Sequence, residues 1–551
     1  MRQFILLFFI LSLCYVLGLF VPLMNGDAAH HANIALHMYL THDYVNLIDK
    51  GTDYLDKPHL LFWLSAASYH IFGVNAFAYK LPSLLFSIAG IWATYKVGRR
   101  LYNIKTGLVA ALILASAQAF ILASMDVRMD AILTACIILA SWQLLEATIA
   151  QKWHNLLGAA LFMGLGFSTK GLVGIIIPCA TLFFYLLYKR DFEQMLHPKW
   201  LLTAALTAVF MLPVIFCFYL QYDLHPEKQI RGMTHISGVK FILWGQNIER
   251  LDGEAWGGGR RDYFYFFHTL LWAFLPWSLI AYYAMGSRLK NLWRSRMAYV
   301  KNFETFTIGA ILFVFIIIST SRFQLPHYLN ILFPFLSILT AAKLVELDKK
   351  RRLPALKSLF ILQACIAFCI VVLIAVLYFW SFRQHIVIFG IVTFAGLFIM
   401  AWNSFEQDSS FSKIITISIT GIAFVNIILN GFFYPQLLKY QGGSNLAAGV
   451  KQKQIETENI YSYNTNNFTF DFDTKHLTPK LTLEQVKNKP AMSYWLYTDA
   501  IGLDSLRQIN IPVAESIQSI DYHVTRLKPA FLNPVTRSQT LDTVYLLRIA
   551  P

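Results

Sequence analysis

Long apolar runs constrain this chain more than any other feature. About 20 consecutive apolar residues cross a bilayer as a helix, and on that template about thirteen segments qualify: 4–24, 81–98, 107–124, 130–149, 156–169, 171–188, 201–221, 263–286, 304–319, 328–345, 358–380, 386–402 and 413–435. Lipid offers the backbone no hydrogen-bond partners, so such runs must fold as helices. Only 14% of the 551 residues are charged, against about 25% in soluble domains. The charges collect in loops and in the tail. The expected fold class is a polytopic α-helical membrane protein. The spans flanking Ser168-Thr169-Lys170-Gly171 read as two short helices meeting at a polar turn. No clean small-x-small cleavage site follows the first run, which favours an uncleaved helix over a signal peptide.

The net charge of +15 would suggest nucleic acid in a soluble protein. Here the basic residues alternate between loops: Lys96, Arg99, Arg100 and Lys105, then Lys189, Arg190 and Lys199, then Arg288 to Lys301, then Lys349 to Lys357. The positive-inside rule explains that pattern with the N-terminus in the cytoplasm, and an odd number of spans then puts the tail outside. Membrane lipids, not nucleic acid, are the expected surroundings. The six cysteines all lie within apolar runs, so no disulfide framework is expected.

Two exterior loops, 25–80 and 221–262, are longer than the roughly 12–15 residues that plain connectors need. Segments 29–41 and 59–72 within the first read as amphipathic helices lying in the interface. Beyond 436 the composition turns polar. Asn459–Tyr463, Phe468–Phe472, Ser493–Tyr497 and Val544–Arg548 alternate like strands, and Thr482–Lys489 and Asp499–Ile509 read as capped helices. The expected division is a membrane domain, 1–436, and a small exterior α/β domain, 437–551.

Several polar groups stand where the spans meet water. Asp27 opens the first exterior loop, where it can orient an acceptor or take its proton; it can equally cap the helix that follows. Asp56-Lys57-Pro58 sets a rigid point charge suited to a lipid phosphate, or forms an ordinary surface pair. Arg128 lies between Asp126 and Asp130, and ionisable residues at a span's edge are functional candidates unless they merely snorkel. The second loop holds Asn247, Arg250 and Arg261 among tryptophans and glycines, offering forked donors for phosphate. Arg322, His327 and Tyr328 mark another exterior mouth. The histidines of the exterior loops show no zinc-protease or zinc-finger spacing.

These blocks, in this order, resemble the polytopic GT-C glycosyltransferases of the lipid A aminoarabinose transferase and protein O-mannosyltransferase kind. The matching stretches are Asp27, Asp56-Lys57-Pro58-His59-Leu60-Leu61-Phe62-Trp63, Gly73 to Ser83, Asp130, Thr169-Lys170-Gly171, Asn247 with Arg250, Phe274-Leu275-Pro276-Trp277, and Leu325-Pro326-His327-Tyr328 to Pro334. The likeness covers about the first 345 residues. It departs at Ala28, where the family often has Glu, at His59, where it has a second proline, and at Gln324, where it usually has lysine. A histidine that can help hold a metal in the family is replaced by glycine around Gly259, which speaks against a divalent metal, and no other cofactor is implied.

The resemblance implies transfer of a sugar from a polyprenyl-phosphate donor to a lipid A-like lipid, a glycan or a protein, with inversion, at the periplasmic face of a bacterial inner membrane. Asp27 and Asp130 would be catalytic. Lys57, Arg128, Arg250, Arg261 and Arg322 would hold the donor phosphate or lipid, with Asp56, Asn247, His327 and Tyr328 in support. The alternatives are a transporter or flippase, disfavoured by the absence of the repeat symmetry such folds often carry, and an oligosaccharyltransferase or ligase of the same architecture.

Overall fold

The computed structural model describes residues 2–150, 152–252, 262–300, 303–383, 385–405, 407, 409–488 and 493–550. In chain order the first elements are α1 (Arg2–Phe20), α2 (Asp27–Thr41), a short hairpin of β1 (Ile48–Asp49) and β2 (Thr52–Asp53), α3 (Leu60–Phe72), α4 (Ala76–Leu101), α5 (Ile104–Ala115), α6 (Gln118–Met125), α7 (Asp130–Ile149), α8 (Trp153–Lys170) and α9 (Val173–Lys189). Both helices expected in the first loop are present, as α2 and α3. Each apolar run identified in the sequence falls on one helix or on helices in succession. Among the described residues, seven helical stretches are long and apolar enough to cross a membrane, or eight if α5 and α6 count as one span.

Two runs expected to be continuous are broken. The first bends by 56° between α5 and α6, and the second is interrupted between the helices Tyr265–Ala273 and Ser278–Arg294. The breaks meet and satisfy each other. The Gln118 N–H, freed at the start of α6, donates to the Leu275 carbonyl at 3.0 Å, and the Trp277 indole donates to the Ser116 hydroxyl at 2.9 Å. Helix ends inside a bundle need such partners, because lipid supplies none. The apolar window of 326–349 is 89% buried and that of 353–381 only 22%, so the former is central and the latter faces lipid.

At the junction of α8 and α9, Gly166 and Gly174 bring the two helices into backbone contact. A Cβ on Gly174 would lie 2.3 Å from the Gly166 carbonyl carbon. Gly171 takes φ +69°, a left-handed conformation that glycine adopts at no steric cost. The turn therefore closes tightly and leaves Lys170, the last residue of α8, facing the bundle interior.

Toward the C-terminus a four-stranded sheet forms in the order β3 (Ile460–Tyr463), β4 (Tyr494–Asp499), β6 (Asp542–Ile549), β5 (Val513–Asp521). β3 and β4 are parallel and the other pairs antiparallel. Both capped helices occur: Leu483–Lys487 with a capping box on Thr482, and Ala500–Gln508 with the Asp499 carboxylate accepting from the Gly502 N–H. Phe468–Phe472, expected as a strand, is instead part of a helix, Phe468–Thr474. The alternating phenylalanines serve two cores. Residues four apart share a helix face, and Phe468 and Phe472 pack toward α2 and α3 while Phe470 turns the other way and stacks on Tyr497.

Candidate active site

α2 begins directly at Asp27, with Gly26 in the capping position and no side-chain cap. The Asp27 carboxylate is therefore released from helix capping. Its Oδ2 lies 3.0 Å from Arg128 Nη1, and the same guanidinium reaches Asp126 Oδ2 at 3.2 Å through Nη2. Arg128 stands in the short link between α6 and α7, so its fork ties the α2 entrance to the membrane bundle. This bidentate use of two donors suits arginine and not lysine.

Two residues beyond Arg128, Asp130 opens α7 and is 2% exposed. Lys170 Nζ lies 2.7 Å from its Oδ1, and His327 Nε2 lies 3.7 Å from its Oδ2. Arg128 also donates to His327 Nδ1 at 3.3 Å. Since Nδ1 accepts there, the neutral ring carries its proton on Nε2, toward Asp130. Lys170 lies over the Tyr328 ring at 4.5 Å. Buried charges persist only when paired and hydrogen-bonded, and Asp130 meets both conditions.

These groups line one cavity of about 210 Å³, formed by Asp27, His30, His31, Tyr54, Asp56, Lys57, Arg128, Met129, Asp130, Lys170, Phe323, Leu325, His327 and Tyr328. A second cavity, of about 380 Å³, shares Arg128, Asp130 and His327 with the first. Its other walls are largely apolar, including Met24, Leu122, Trp272, Leu437 and Val524. Asp126 lies in that wall too.

The structure thus gathers Asp27, Asp56, Lys57, Arg128, Asp130, His327 and Tyr328 at a single cavity. Asn247 lies outside its lining, beside the Gly171 turn, and its Nδ2 is buried. Arg322 is exposed and outside the lining as well. The Arg250 side chain, Gly259 and Arg261 lie outside the described residues. Among the described residues no group of three or more His, Cys, Asp or Glu side chains is placed to hold a metal ion.

Sequence reasoning missed three participants. Lys170 was visible only as part of a turn motif, because its partner Asp130 lies 40 residues away. Arg231, from the second exterior loop, pairs with Asp56 and with Glu249 at 3.0 Å, bracing the Asp56-Lys57 corner. His31 is one of the exterior-loop histidines whose spacing carries no metal-site signal. Burial, together with His30, Lys57 and Arg128 nearby, pushes its pKa well down, so it enters the cavity as a neutral ring. His59 is likewise held neutral by burial, with its pKa pushed down to about 4. It packs between Trp63 and Phe218 and contacts the Val45 carbonyl at 2.8 Å, filling an apolar slot.

A family model described as dolichyl-phosphate-mannose-protein mannosyltransferase matches residues 56–216, the stretch that carries Lys57, Arg128, Asp130 and Lys170. The chain also superposes on the crystal structure of ArnT from Cupriavidus metallidurans bound to undecaprenyl phosphate, with a TM-score of 0.74 over 98% of this chain and 97% of that one, at 19% identity. The chain shares the fold of that structure. It is 27% identical over 319 residues to the undecaprenyl phosphate-alpha-4-amino-4-deoxy-L-arabinose arabinosyl transferase of Pseudomonas aeruginosa, covering 57% of this chain and 53% of that protein. It therefore spans about half the length of that relative. A protein of the same description from Wigglesworthia glossinidia brevipalpis matches at 24% identity over 481 residues, 83% of this chain and 77% of its own. The shared fold takes in both the helical bundle and the sheet that follows it, since the superposition covers 98% of this chain.

Proposed function

We propose that this chain is an inverting glycosyltransferase that moves a sugar from a polyprenyl-phosphate donor to a lipid A-like acceptor at the exterior face of the membrane. The observation that carries the reading is the convergence of Lys57, Arg128 and Lys170 with Asp27 and Asp130 on one cavity. Bond cleavage leaves negative charge on the polyprenyl phosphate, and preorganised cations in a sheltered cleft are the groups that stabilise it. The relatives named above carry undecaprenyl phosphate in their descriptions, which fits that donor class.

In this reading the bond from the anomeric carbon to the phosphate oxygen breaks, and its electron pair stays with the departing polyprenyl phosphate. The acceptor oxygen attacks from the opposite face. Arg128 is shared by Asp27 and Asp126, so an incoming phosphate competes with Asp27 for the guanidinium and frees that carboxylate to face the acceptor. A hydroxyl acceptor would give its proton to Asp27. An ionised phosphate acceptor has none to give, and Asp27 would then orient it. Asp130 fixes Lys170 and His327 and balances the charge of Lys170. Asp56 and Arg231 hold the corner that carries Lys57. Arg250 and Arg261 are assigned to the donor's phosphate or lipid, and Arg322 to the donor's approach. No step is assigned to a divalent metal.

The test is incubation of purified protein with labelled polyprenyl-phosphate sugar and lipid A. Release of polyprenyl phosphate with labelling of the acceptor is the expected result. Lipid translocation without cleavage would instead identify a flippase, and transfer only from a diphosphate donor would identify a ligase-type enzyme.

A further inference from the structure

The segment that delivers Asp27 to the cavity is gripped from the C-terminal side. Gln441 follows the last membrane helix and is 1% exposed. Its amide oxygen accepts from the Asn25 N–H at 2.7 Å, and its amide nitrogen donates to the Leu23 carbonyl at 3.0 Å. This side chain pairs with the backbone as a neighbouring strand would, two residues before Asp27. The Ser444 hydroxyl takes a further bond from the same nitrogen, at 2.8 Å, fixing the amide in place. On its other side the entry is held by Lys80 of α4, which donates to the Gly18 carbonyl at 3.0 Å and to the Val21 carbonyl.

A second hold lies farther along α2. The Phe468 ring stacks on His30, with centroids 4.6 Å apart and planes inclined by 27°, and the Phe468 carbonyl accepts from Asn33 Nδ2 at 2.8 Å. His30 itself lines the cavity and lies 2.9 Å from Asp49. A third contribution is direct: Val524, Thr525 and Leu527 form part of the wall of the second cavity, which shares Arg128, Asp130 and His327 with the first.

We infer that the C-terminal region is a positioning part of the active site, and that Gln441 and Phe468 are positioning residues that set where Asp27 and His30 stand. The physical reason is leverage. α2 starts with Asp27 and has no side-chain cap of its own, so the entry angle of the helix is set from outside it. Misplacing a reacting group by about 1 Å can cost about 100-fold in rate. The inference rests on the transferase reading given above for its kinetic arm.

The test compares Gln441→Leu and Phe468→Leu with the unaltered full-length protein in two measurements. Both substitutions keep the apolar volume near that of the original side chain. In steady-state transfer from labelled polyprenyl-phosphate sugar, kcat per folded molecule should fall by about tenfold or more for Gln441→Leu. The fall should be smaller for Phe468→Leu, with little change in KM for the donor. A merely structural role would lower membrane abundance and leave kcat per folded molecule unchanged, which would overturn the inference. Gln441→Glu, which keeps the acceptor for the Asn25 N–H, should recover part of the loss. Hydrogen exchange of residues 25–33 provides the second arm and needs no activity. Faster exchange confined to that segment supports the inference, and unaltered exchange in both variants overturns it. Should the unaltered protein release no polyprenyl phosphate, the transferase reading fails, and the exchange arm still decides whether these residues position α2. Should Gln441→Leu fail to accumulate, Phe468→Leu carries both measurements.

Discussion

Asp130 and Asp471 are both sealed from solvent, at 2% and 1% exposure, yet their surroundings are opposite. Asp130 has Lys170 at 2.7 Å, His327 at 3.7 Å and Arg128 two residues away, and it opens onto two cavities. Asp471 is met by neutral donors: the Thr478 hydroxyl and N–H, and the Asn467 amide at 2.7 Å. It lines neither cavity, and burial pushes its carboxyl up to about 7. Burial alone therefore does not mark a candidate catalytic carboxylate. What distinguishes Asp130 is a ring of cations held beside open space, an arrangement suited to exchanging one anion for another. Asp471 instead pins the helix Phe468–Thr474 to the loop that follows it.

Breaking the cation ring should have the largest effect. Lys170→Met leaves Asp130 charged without its closest cation, and removal of one partner of a buried pair costs about 3–5 kcal/mol. Both membrane abundance and transfer should collapse. The double variant Lys170→Met/Asp130→Asn should recover abundance, measured by detergent-extracted yield, without recovering transfer. If transfer also returned, the pair would be a packing device like Asp471.

Arg128→Lys comes next. A lysine cannot reach Asp27 and Asp126 together, and loss of one preorganised donor costs about 100-fold or more in turnover. Steady-state release of polyprenyl phosphate should fall accordingly at unchanged protein level. Arg231→Ala is milder, because its pairs with Asp56 and Glu249 are partly exposed and such pairs contribute about 0.2–1 kcal/mol. The expected change is a rise of about two- to fivefold in KM for the donor, through a looser Asp56-Lys57 corner.

Asp471→Asn sharpens the comparison from the other side and should change turnover least. The folded carboxyl keeps its proton up to about pH 7, whereas the unfolded one releases it near the ordinary value of 3.8. Between those values the native state binds the extra proton, so stability falls as pH rises. Its contribution is whole below about 3.8 and lost once the pH passes about 7. This carboxyl therefore adds a downward slope to the melting temperature across that window, opposed by His31 and His59, whose depressed pKa values make stability rise with pH. Asp471→Asn should remove that slope, so its melting temperature should rise relative to that of the unaltered protein as the pH passes from about 4 to about 7.

Much of this was legible in the sequence because membrane helices are written in apolar runs and caps. α2 and α3 fall within two residues of the segments expected for them, and the capping box at Thr482 is a local signal. The site was legible as separate motifs, and Asp27, Lys57, Arg128, Asp130 and His327 do converge. Their pairing was not readable, since Asp130 and Lys170 come together only when α7 packs against α8, and Arg231 crosses from one exterior loop to the other. The helix Phe468–Thr474 was misread because its alternating rings answer to two different cores, which one segment's periodicity cannot reveal. β5 escaped notice because no residue of this edge strand is buried, and its sequence carries no clear apolar face.

The central claim is that Asp27, poised on Arg128, works on an acceptor while the surrounding cations hold a polyprenyl phosphate. The most direct measurement is release of polyprenyl phosphate by Asp27→Asn at normal membrane abundance, using labelled donor and lipid A. The account predicts a loss of about 100-fold or more, in the range of a lost acid–base group. Release at the rate of the unaltered protein would contradict it.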